Sequence, residues 1–149
     1  FNVYGPLEGH KGVPASMAWH LAGQMLAGKR PRIFKSGEQK RDFVYVKDIV
    51  AFTIAAMKLG KSGVWNAGSG QPRSFNEMVN GLNEVLGTKL KPQYFECPYP
   101  FYQPHTEADM SATKRDLGIQ PKYSLEQGLK DYFESGWLTR GRVAKKKKK

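Results

Sequence analysis

The sequence predicts an α/β protein that folds as one domain. Its 149 residues are enough for a single domain with a hydrophobic core. Runs typical of strands alternate along the chain with runs that carry apolar residues at helical spacing. Hydrophobic residues make up 40% and aromatic residues 12% of the chain, as expected of a folded protein rather than a disordered one.

The first half of the chain alternates between the two kinds of element. Strands are predicted at four places, residues 1–4, 32–34, 42–46 and 63–70. The last of these, GVWNAGSG, has the character of a buried strand that ends in a glycine turn. Helices with apolar residues near the 3.6-residue period are predicted over residues 14–27 and 47–59.

Two capping boxes predict where helices begin in the second half. Ser74 is followed by Glu77, and Ser124 by Gln127, so that each pair can satisfy free N–H groups of a first helical turn. The first helix should end near Gly87 and the second near Phe133. Between them we expect a strand, a proline-rich loop and a short helix, at residues 92–96, 98–104 and 111–117.

The positive charge of the chain is concentrated in its last residues. The net charge is +11, but residues 139–149 hold seven of the 24 basic residues and no acidic one. The remaining 138 residues carry 17 basic and 13 acidic residues, a net charge of +4. Residues 139–149 therefore suggest a solvated basic tail, and no aromatic side chain interleaves with the lysines to stack on bases. We expect no specific nucleic-acid partner, although a basic binding module that uses this tail stays an alternative.

Several other classes of protein are not favoured. Cys97 is the only cysteine, so no internal disulfide can form and a reducing cytoplasm is the expected compartment. We expect its thiol to be inert rather than catalytic. The three histidines do not have the spacing of a zinc site, so no metal is expected: they are His10, His20 and His105. No apolar run approaches the roughly 20 residues needed to span a bilayer, so no membrane contact is expected.

Five short motifs follow one another in an informative order. They are NVYGP (2–6), EGHKG (8–12), RDFVYVKDIV (41–50), NAGSG (66–70) and SFNEM (74–78). In this order they resemble the C-terminal half of the extended short-chain dehydrogenase/reductase family, the NAD-dependent epimerases and dehydratases. Within that family EGHKG, the following Ala15-Ser16 and His20, and FYQPHTEAD (101–109) look most like the ADP-glyceromanno-heptose 6-epimerases.

The resemblance implies a fold and an organisation. Residues 1–138 would be the C-terminal part of a Rossmann-type domain interleaved with a small α/β substrate-binding domain, followed by the basic tail at 139–149. The glycine-rich cofactor loop and the Tyr-x-x-x-Lys pair of the family are not among these residues. We therefore expect a fragment that is inactive alone, belonging to a homo-oligomeric enzyme.

The same resemblance implies a reaction and a role for Lys11. The family epimerases oxidise C6 of an ADP-heptose with NADP, for which NAD is an alternative, and reduce the 6-keto intermediate from the other face. Inversion needs a proton partner on each side of the carbon, and Lys11 would supply the second acid–base group. Gly9 and Gly12 flank Lys11 and would let the backbone approach a ligand closely. The alternative is a solvated loop lysine.

Other positions match the family's binding residues one at a time. Those implied to contact the ADP-sugar are Asn2, His20, Phe34, Lys35, Ser36, Gly37, Arg41 and Tyr102, and Val3 would contact the nicotinamide end of the cofactor. Arg41 suits a diphosphate because a guanidinium can bind phosphate oxygens through two hydrogen bonds. The structural alternatives are a salt bridge of Arg41 with Asp42 or Asp48, aromatic packing for Tyr102 and a hydrogen-bonded core histidine for His20.

One departure from the family pattern affects specificity. Val13-Pro14 stand where the family carries a small polar or basic residue and then methionine, and Val13 cannot hydrogen-bond a sugar. Pro14 suits a first helical turn, so the fold should tolerate it. Rival functions are therefore another nucleotide-sugar epimerase or dehydratase of the same family, and a non-catalytic scaffold. Our interpretation is an ADP-heptose 6-epimerase of lipopolysaccharide precursor synthesis.

Overall fold

The computed structural model describes residues 1–140 and 142. Five helices are present in this part of the chain: α1 (Met17–Leu26), α2 (Val46–Leu59), α3 (Phe75–Leu86), α4 (Ser111–Leu117) and α5 (Leu125–Glu134). The strands are β1 (Asn2–Tyr4), β2 (Arg32–Phe34), β3 (Lys40–Tyr45), β4 (Pro72–Ser74) and β5 (Gln93–Phe95), and a 3-10 helix covers Glu8–Lys11. The α/β class predicted from the sequence is confirmed.

The strands form two small sheets. In the first, β3 lies between β1, to which it is parallel, and β4, to which it is antiparallel. In the second, β2 pairs with β5 in parallel. The loop before α4 joins the first sheet through a bridge between Lys40 and His105.

The core lies between the first sheet and three helices. Helix α3 packs against α1 and α5, and α5 also contacts β3. Side chains from all of these elements are fully buried there, among them Tyr4, Leu21, Tyr45, Met78, Leu82, Leu129 and Tyr132. Each buried apolar side chain of this size contributes about 1.5–3 kcal/mol relative to exposure. No helix in the described residues is long and apolar enough to cross a membrane.

The capping boxes begin helices where the sequence places them. The Ser74 hydroxyl accepts from the Glu77 N–H while the Glu77 carboxylate accepts from the Ser74 N–H, and α3 starts at the next residue. Ser124 and Gln127 do the same for α5. These two predictions are confirmed. They could be made from the sequence because the motif is local and contains its own hydrogen-bond partners.

The prediction of a buried strand over residues 63–70 is wrong. The segment is irregular, and the Val64 side chain is 95% exposed. Instead of pairing as a strand, its middle bonds to the region of α4, and its end, Ser69 and Gly70, donates to the Asp42 carboxylate of β3. The Asn66 side chain donates to the Asp109 carbonyl at 2.9 Å, and the Asn66 carbonyl accepts from the Thr113 hydroxyl at 2.5 Å.

Two elements were not predicted. The first is β4, which pairs with β3 on the side away from β1. It begins at Pro72, and a proline argues against a strand in the sequence. Residues Glu8–Lys11, expected to be a loop, form a 3-10 helix between Leu7 and Gly12.

Candidate functional site

A cavity of about 220 Å³ brings together residues from β1, α1, β2, β3, α3 and the proline-rich loop. It is lined by Asn2, Met17, Arg32, Ile33, Phe34, Gln39, Arg41, Phe75 and Tyr102. Four of these are site residues predicted from the sequence, although they lie up to 100 positions apart: Asn2, Phe34, Arg41 and Tyr102. Pairing of β1 with β3 brings the first and third of them to one end of the sheet.

Aromatic side chains form one wall of this cavity. The Tyr102 ring meets the Phe34 ring edge-to-face, with centroids 5.7 Å apart, and Phe34 meets Phe95 in the same way at 4.8 Å. Burial raises the pKa of Tyr102, partly offset by the positive charge of Arg41, so the phenol stays neutral at ordinary pH. Tyr102 therefore has the packing that we considered as its structural role while its ring also faces the cavity.

Arg41 is one of the two arginines that line the cavity, together with Arg32. Its guanidinium lies 4.8 Å from the centroid of the Tyr102 ring, a cation–π distance, and one nitrogen donates to the Lys40 carbonyl at 2.7 Å. In the described part of the chain Arg41 makes no salt bridge, which was the structural alternative to phosphate binding. The two candidate partners bond elsewhere: Asp42 accepts from residues 69, 70 and 108, and Asp48 accepts from residues 122 and 123.

The turn after β2 holds Lys35, Ser36 and Gly37 at the rim of the cavity. Lys35 has a φ of 52°, unusual for a residue other than glycine, and its amino group lies 5.9 Å from the Tyr102 centroid. Asn76 fixes this turn, because its side chain donates to the Ser36 carbonyl at 2.9 Å and its N–H to the Gly37 carbonyl at 3.1 Å. Sequence reasoning missed Asn76, although the residue lies inside the SFNEM motif.

Lys11 lies outside the set that lines this cavity. It is exposed at the end of the 3-10 helix, and its amino group makes no hydrogen bond or salt bridge within residues 1–140 and 142. Gly9 packs against Trp19 so closely that a Cβ there would lie 2.9 Å from the indole. The glycine at position 9 thus serves packing of the loop against α1.

The remaining predicted residues lie on the neighbouring elements. Val3 is in β1, opposite Val44 of β3, with 37% of its surface exposed. His20 is half-buried in α1, and its Nε2 lies 3.0 Å from the Val13 carbonyl, so this nitrogen is the donor. That bond is the structural role considered for His20, and it also holds the loop that carries Lys11.

No cluster of three or more potential metal ligands occurs among the described side chains.

The sequence and the fold are similar to those of known sugar-nucleotide enzymes. Residues 1–68 match the model of the NAD dependent epimerase/dehydratase family. The chain superposes on ADP-L-glycero-D-manno-heptose-6-epimerase from Helicobacter pylori with a TM-score of 0.81 and 44% identity over 91% of its length.

Two UDP-sugar epimerases are similar to a comparable extent. UDP-glucose 4-epimerase from Thermotoga maritima, solved with UDP-glucose, gives a TM-score of 0.80 and 36% identity over 91% of the chain. UDP-glucuronic acid 4-epimerase from Bacillus cereus was solved with NAD and a fluorinated UDP-glucuronic acid. It gives a TM-score of 0.80 and 29% identity over 94% of the chain.

The chain spans less than half the length of these structures, covering 41%, 44% and 43% of them respectively. Family model and solved structures agree with the motif order NVYGP, EGHKG and RDFVYV. Residues 1–68 therefore belong to the NAD-dependent epimerase/dehydratase family, and the chain shares the fold of these epimerases over 91% or more of its length.

Proposed function

We propose that this chain forms the substrate-binding part of a nucleotide-sugar epimerase that inverts C6 of an ADP-glycero-manno-heptose. The observation that carries the proposal is the cavity in which Asn2, Phe34, Arg41 and Tyr102 meet. The 44% identity to the Helicobacter pylori heptose epimerase supports the choice of sugar. In this proposal residues 1–138 complete a Rossmann-type domain and its substrate-binding domain in a cytoplasmic homo-oligomer, with 139–149 as a tail.

The cavity suits a diphosphate that carries an aromatic base. Arg41 would bind phosphate oxygens through the guanidinium N–H groups that have no acceptor in the described residues. Phe34 and Tyr102 provide an apolar wall beside this cation, and Arg32 and Lys35 add further positive charge. Asn2, at the mouth of the cavity, would donate to a sugar or phosphate oxygen.

Lys11 would be the acid–base group for one face of the sugar. Removing the C6 hydrogen requires that the O6 proton leave at the same time, and reduction of the ketone from the other face requires its return. Lys11 is exposed at the end of the 3-10 helix, and in this proposal its long side chain would bring the amino group to the oxygen after the sugar reorients. A phenol from the family's Tyr-x-x-x-Lys pair would serve the opposite face.

A nicotinamide dinucleotide, NADP or NAD, would supply the hydride chemistry. The part of this chain that fits it is the outer side of β1, where Val3 is 37% exposed on a strand whose other side pairs with β3. The Bacillus cereus relative, solved with NAD, supports a nicotinamide cofactor. The backbone of β1 would orient the nicotinamide beside the sugar.

The similarity to UDP-sugar epimerases suggests a different nucleotide sugar as the alternative substrate. Val13 is 91% exposed and presents no side-chain donor to a ligand, unlike the family's polar residue at this place. We propose that the Val13 carbonyl, held by His20, provides the polar contact in its stead. The alternative function is a UDP-sugar epimerase.

Calorimetric titration of the complete polypeptide, saturated with NADP or NAD so that the cofactor site is occupied, with ADP-ribose and UDP-glucose separates these functions. We expect tighter binding of ADP-ribose, and a loss of about tenfold or more in Arg41→Met because charge-assisted hydrogen bonds contribute about 1.5–3 kcal/mol. Arg115→Met is the matched control, since Arg115 is an exposed arginine on α4 that pairs with Asp116. Preference for UDP-glucose would move the assignment to the alternative, and Arg41→Met binding like the control would remove the cavity as the site.

The reaction itself is tested with Lys11→Met. This variant should lose C6 inversion, followed by proton NMR of the heptose, while it still binds ADP-ribose and NADP like the wild type. Normal epimerisation by Lys11→Met would show that another group moves the proton.

A further inference from the structure

We propose that Glu8 is a positioning residue that sets where Lys11 stands relative to β1, an inference that rests on the proposed epimerase function. The segment concerned is residues 5–16, called here the Lys11 loop, which joins the end of β1 to the start of α1. Glu8 itself contacts no cavity residue and acts only through the loop.

Glu8 closes the Lys11 loop at both of its ends. Its Oε1 accepts from the Gly5 N–H at 3.3 Å and from the Ser16 hydroxyl at 2.8 Å. Its Oε2 accepts from the Ser16 N–H at 2.6 Å. Gly5 directly follows β1, and Ser16 is the N-cap of α1, where its hydroxyl also accepts from the Trp19 N–H.

The Glu8 carboxylate is buried at a cost that packing does not explain. Glu8 is only 4% exposed, and no lysine or arginine among the described residues lies within salt-bridge distance of it. Burial, and after it the negative charge of Glu8, raises the pKa of the buried Tyr132 hydroxyl. Burial lowers the pKa of the Arg142 guanidinium, and the charges of Tyr132 and Glu8 partly offset this, so Glu8 has one cation in its neighbourhood beyond salt-bridge distance. An apolar side chain could fill the same space at a lower desolvation cost. We therefore infer that Glu8 stands here because its oxygens accept hydrogen bonds.

The rest of the Lys11 loop is held weakly. Between Glu8 and Ala15 every residue is exposed, and the contacts to the body of the protein are the His20–Val13 hydrogen bond and the packing of Gly9 on Trp19. A loop with so few anchors moves readily unless its ends are tied. Glu8 is the only side chain in the described structure that bonds to both ends.

The consequence is kinetic. Without the tie, Lys11 would sample positions away from O6, and displacement of a catalytic group by about 1 Å can lower the rate about 100-fold. The ADP-sugar would still bind, because Arg41 and Tyr102 lie on β3 and the proline-rich loop. The Val13 carbonyl lies on the Lys11 loop, but its hydrogen bond to His20 does not involve Glu8. A change in kcat without a change in KM is therefore the expected signature.

Glu8→Gln in the complete polypeptide tests this. The amide keeps the shape but has one acceptor oxygen, so either the Gly5 or the Ser16 N–H faces an NH₂ group instead of an oxygen. We expect kcat to fall about 100-fold with KM within about twofold, whereas Glu84→Gln, an exposed carboxylate on α3, keeps wild-type kcat. Glu8→Asp retains the charge but is one methylene shorter, and should show an intermediate kcat.

Trypsin cleavage after Lys11 provides a readout that does not depend on activity. Glu8→Gln should be cut there faster than both wild type and Glu84→Gln, with the fold intact by circular dichroism. Wild-type kcat in Glu8→Gln, full kcat in Glu8→Asp, unchanged cleavage at Lys11, or a parallel loss of kcat, KM and melting temperature would each overturn the role of Glu8. A wild-type protein that neither binds nor epimerises an ADP-sugar would overturn the proposed function, and the cleavage rates would then still decide whether Glu8 ties the loop.

Discussion

Asp42 offers a strong test of how the structure holds the candidate site together. This residue of β3 is fully buried, and its carboxylate accepts four hydrogen bonds. Oδ1 accepts from the Ser69 N–H at 2.6 Å and the Ser69 hydroxyl at 2.8 Å. Oδ2 accepts from the N–H groups of Gly70 and Ala108, both at 2.9 Å. The perturbation is Asp42→Asn, which preserves the shape and replaces one oxygen with a donor.

The magnitude follows from which way the asparagine amide would turn. If the NH₂ group takes the place of Oδ2, the N–H groups of Gly70 and Ala108 both face a donor. If it takes the place of Oδ1, only the Ser69 N–H faces a donor. In the second arrangement the Ser69 hydroxyl can accept from the amide while it donates to the Gln71 carbonyl, 3.2 Å away. One donor is then left without a partner, at about 1–3 kcal/mol, and the bonds of Gly70 and Ala108 lose their charge assistance. We expect a total destabilisation of about 2–4 kcal/mol, a large share of an ordinary domain's stability.

Urea unfolding followed by tryptophan fluorescence measures this free energy. Asp109→Asn is the control, because Asp109 is exposed and its side chain bonds locally to the Ser111 N–H, so its replacement should cost less than about 0.5 kcal/mol. A difference below 1 kcal/mol between Asp42→Asn and this control would refute the hydrogen-bond reasoning. It would mean that water reaches the four donors or that the segments rearrange.

Two further predictions concern packing and charge. Gly128→Ala would gain about 1 kcal/mol from helix propensity alone, but its Cβ would overlap the buried Tyr4 hydroxyl. We therefore expect the free energy of urea unfolding to fall by about 1–3 kcal/mol. A stabilised variant would contradict this packing. A hydrogen bond from Arg73 lowers the pKa of Glu126 from 4.5 to about 2, so its stabilising effect is complete above pH 4.5 and is lost as the pH falls toward 2. The Glu126 side chain is 47% exposed, so Arg73→Met should remove only about 0.5–1 kcal/mol of this acid dependence, and an unchanged pH profile of unfolding would argue against the pair.

The elements that could be predicted from the sequence carry their determinants within a few residues. The boxes at Ser74 and Ser124 contain both partners of each hydrogen bond, and the apolar spacing of α1 needs only its own residues. The order of the motifs predicted the family, which composition alone could not do, and the family model matches residues 1–68. Local signals therefore determined helix starts and family membership.

The segment 63–70 shows why other predictions failed. Its apolar residues and terminal glycines have the character of a strand. Yet Asn66 bonds to α4 and the loop before it, about 45 residues later, and Ser69 and Gly70 bond to Asp42, about 27 residues earlier. No local pattern encodes such a partner. Asn76 and Glu8 were missed for a related reason, since a lone asparagine or glutamate becomes informative only when its partners are known.

The position of Tyr102 is likewise set by contacts distant in sequence. The segment after it runs along β3, where the Lys40 N–H donates to the Pro104 carbonyl at 2.9 Å and the Lys40 carbonyl accepts from the Thr106 N–H at 3.2 Å. These bonds bring the Tyr102 ring beside Arg41, the next residue of β3. Asp42→Asn should therefore weaken nucleotide binding as well as stability, because its Ala108 contact continues the same attachment.

The pairing of β1 with β3 links the cavity to the Lys11 loop. Asn2, at one end of β1, lines the cavity, and Gly5, just beyond the other end, is tied to Glu8. The register places Asn2 opposite Phe43 and Tyr4 opposite Tyr45, and a slip of one residue would turn every side chain of β1 to the other face. Burial of Tyr4, whose hydroxyl donates to the Leu125 carbonyl at 3.1 Å, makes that slip costly. One buried tyrosine thus fixes both the asparagine that lines the cavity and the starting point of the loop that carries Lys11. The residues proposed for binding and for proton transfer therefore depend on the same strand register.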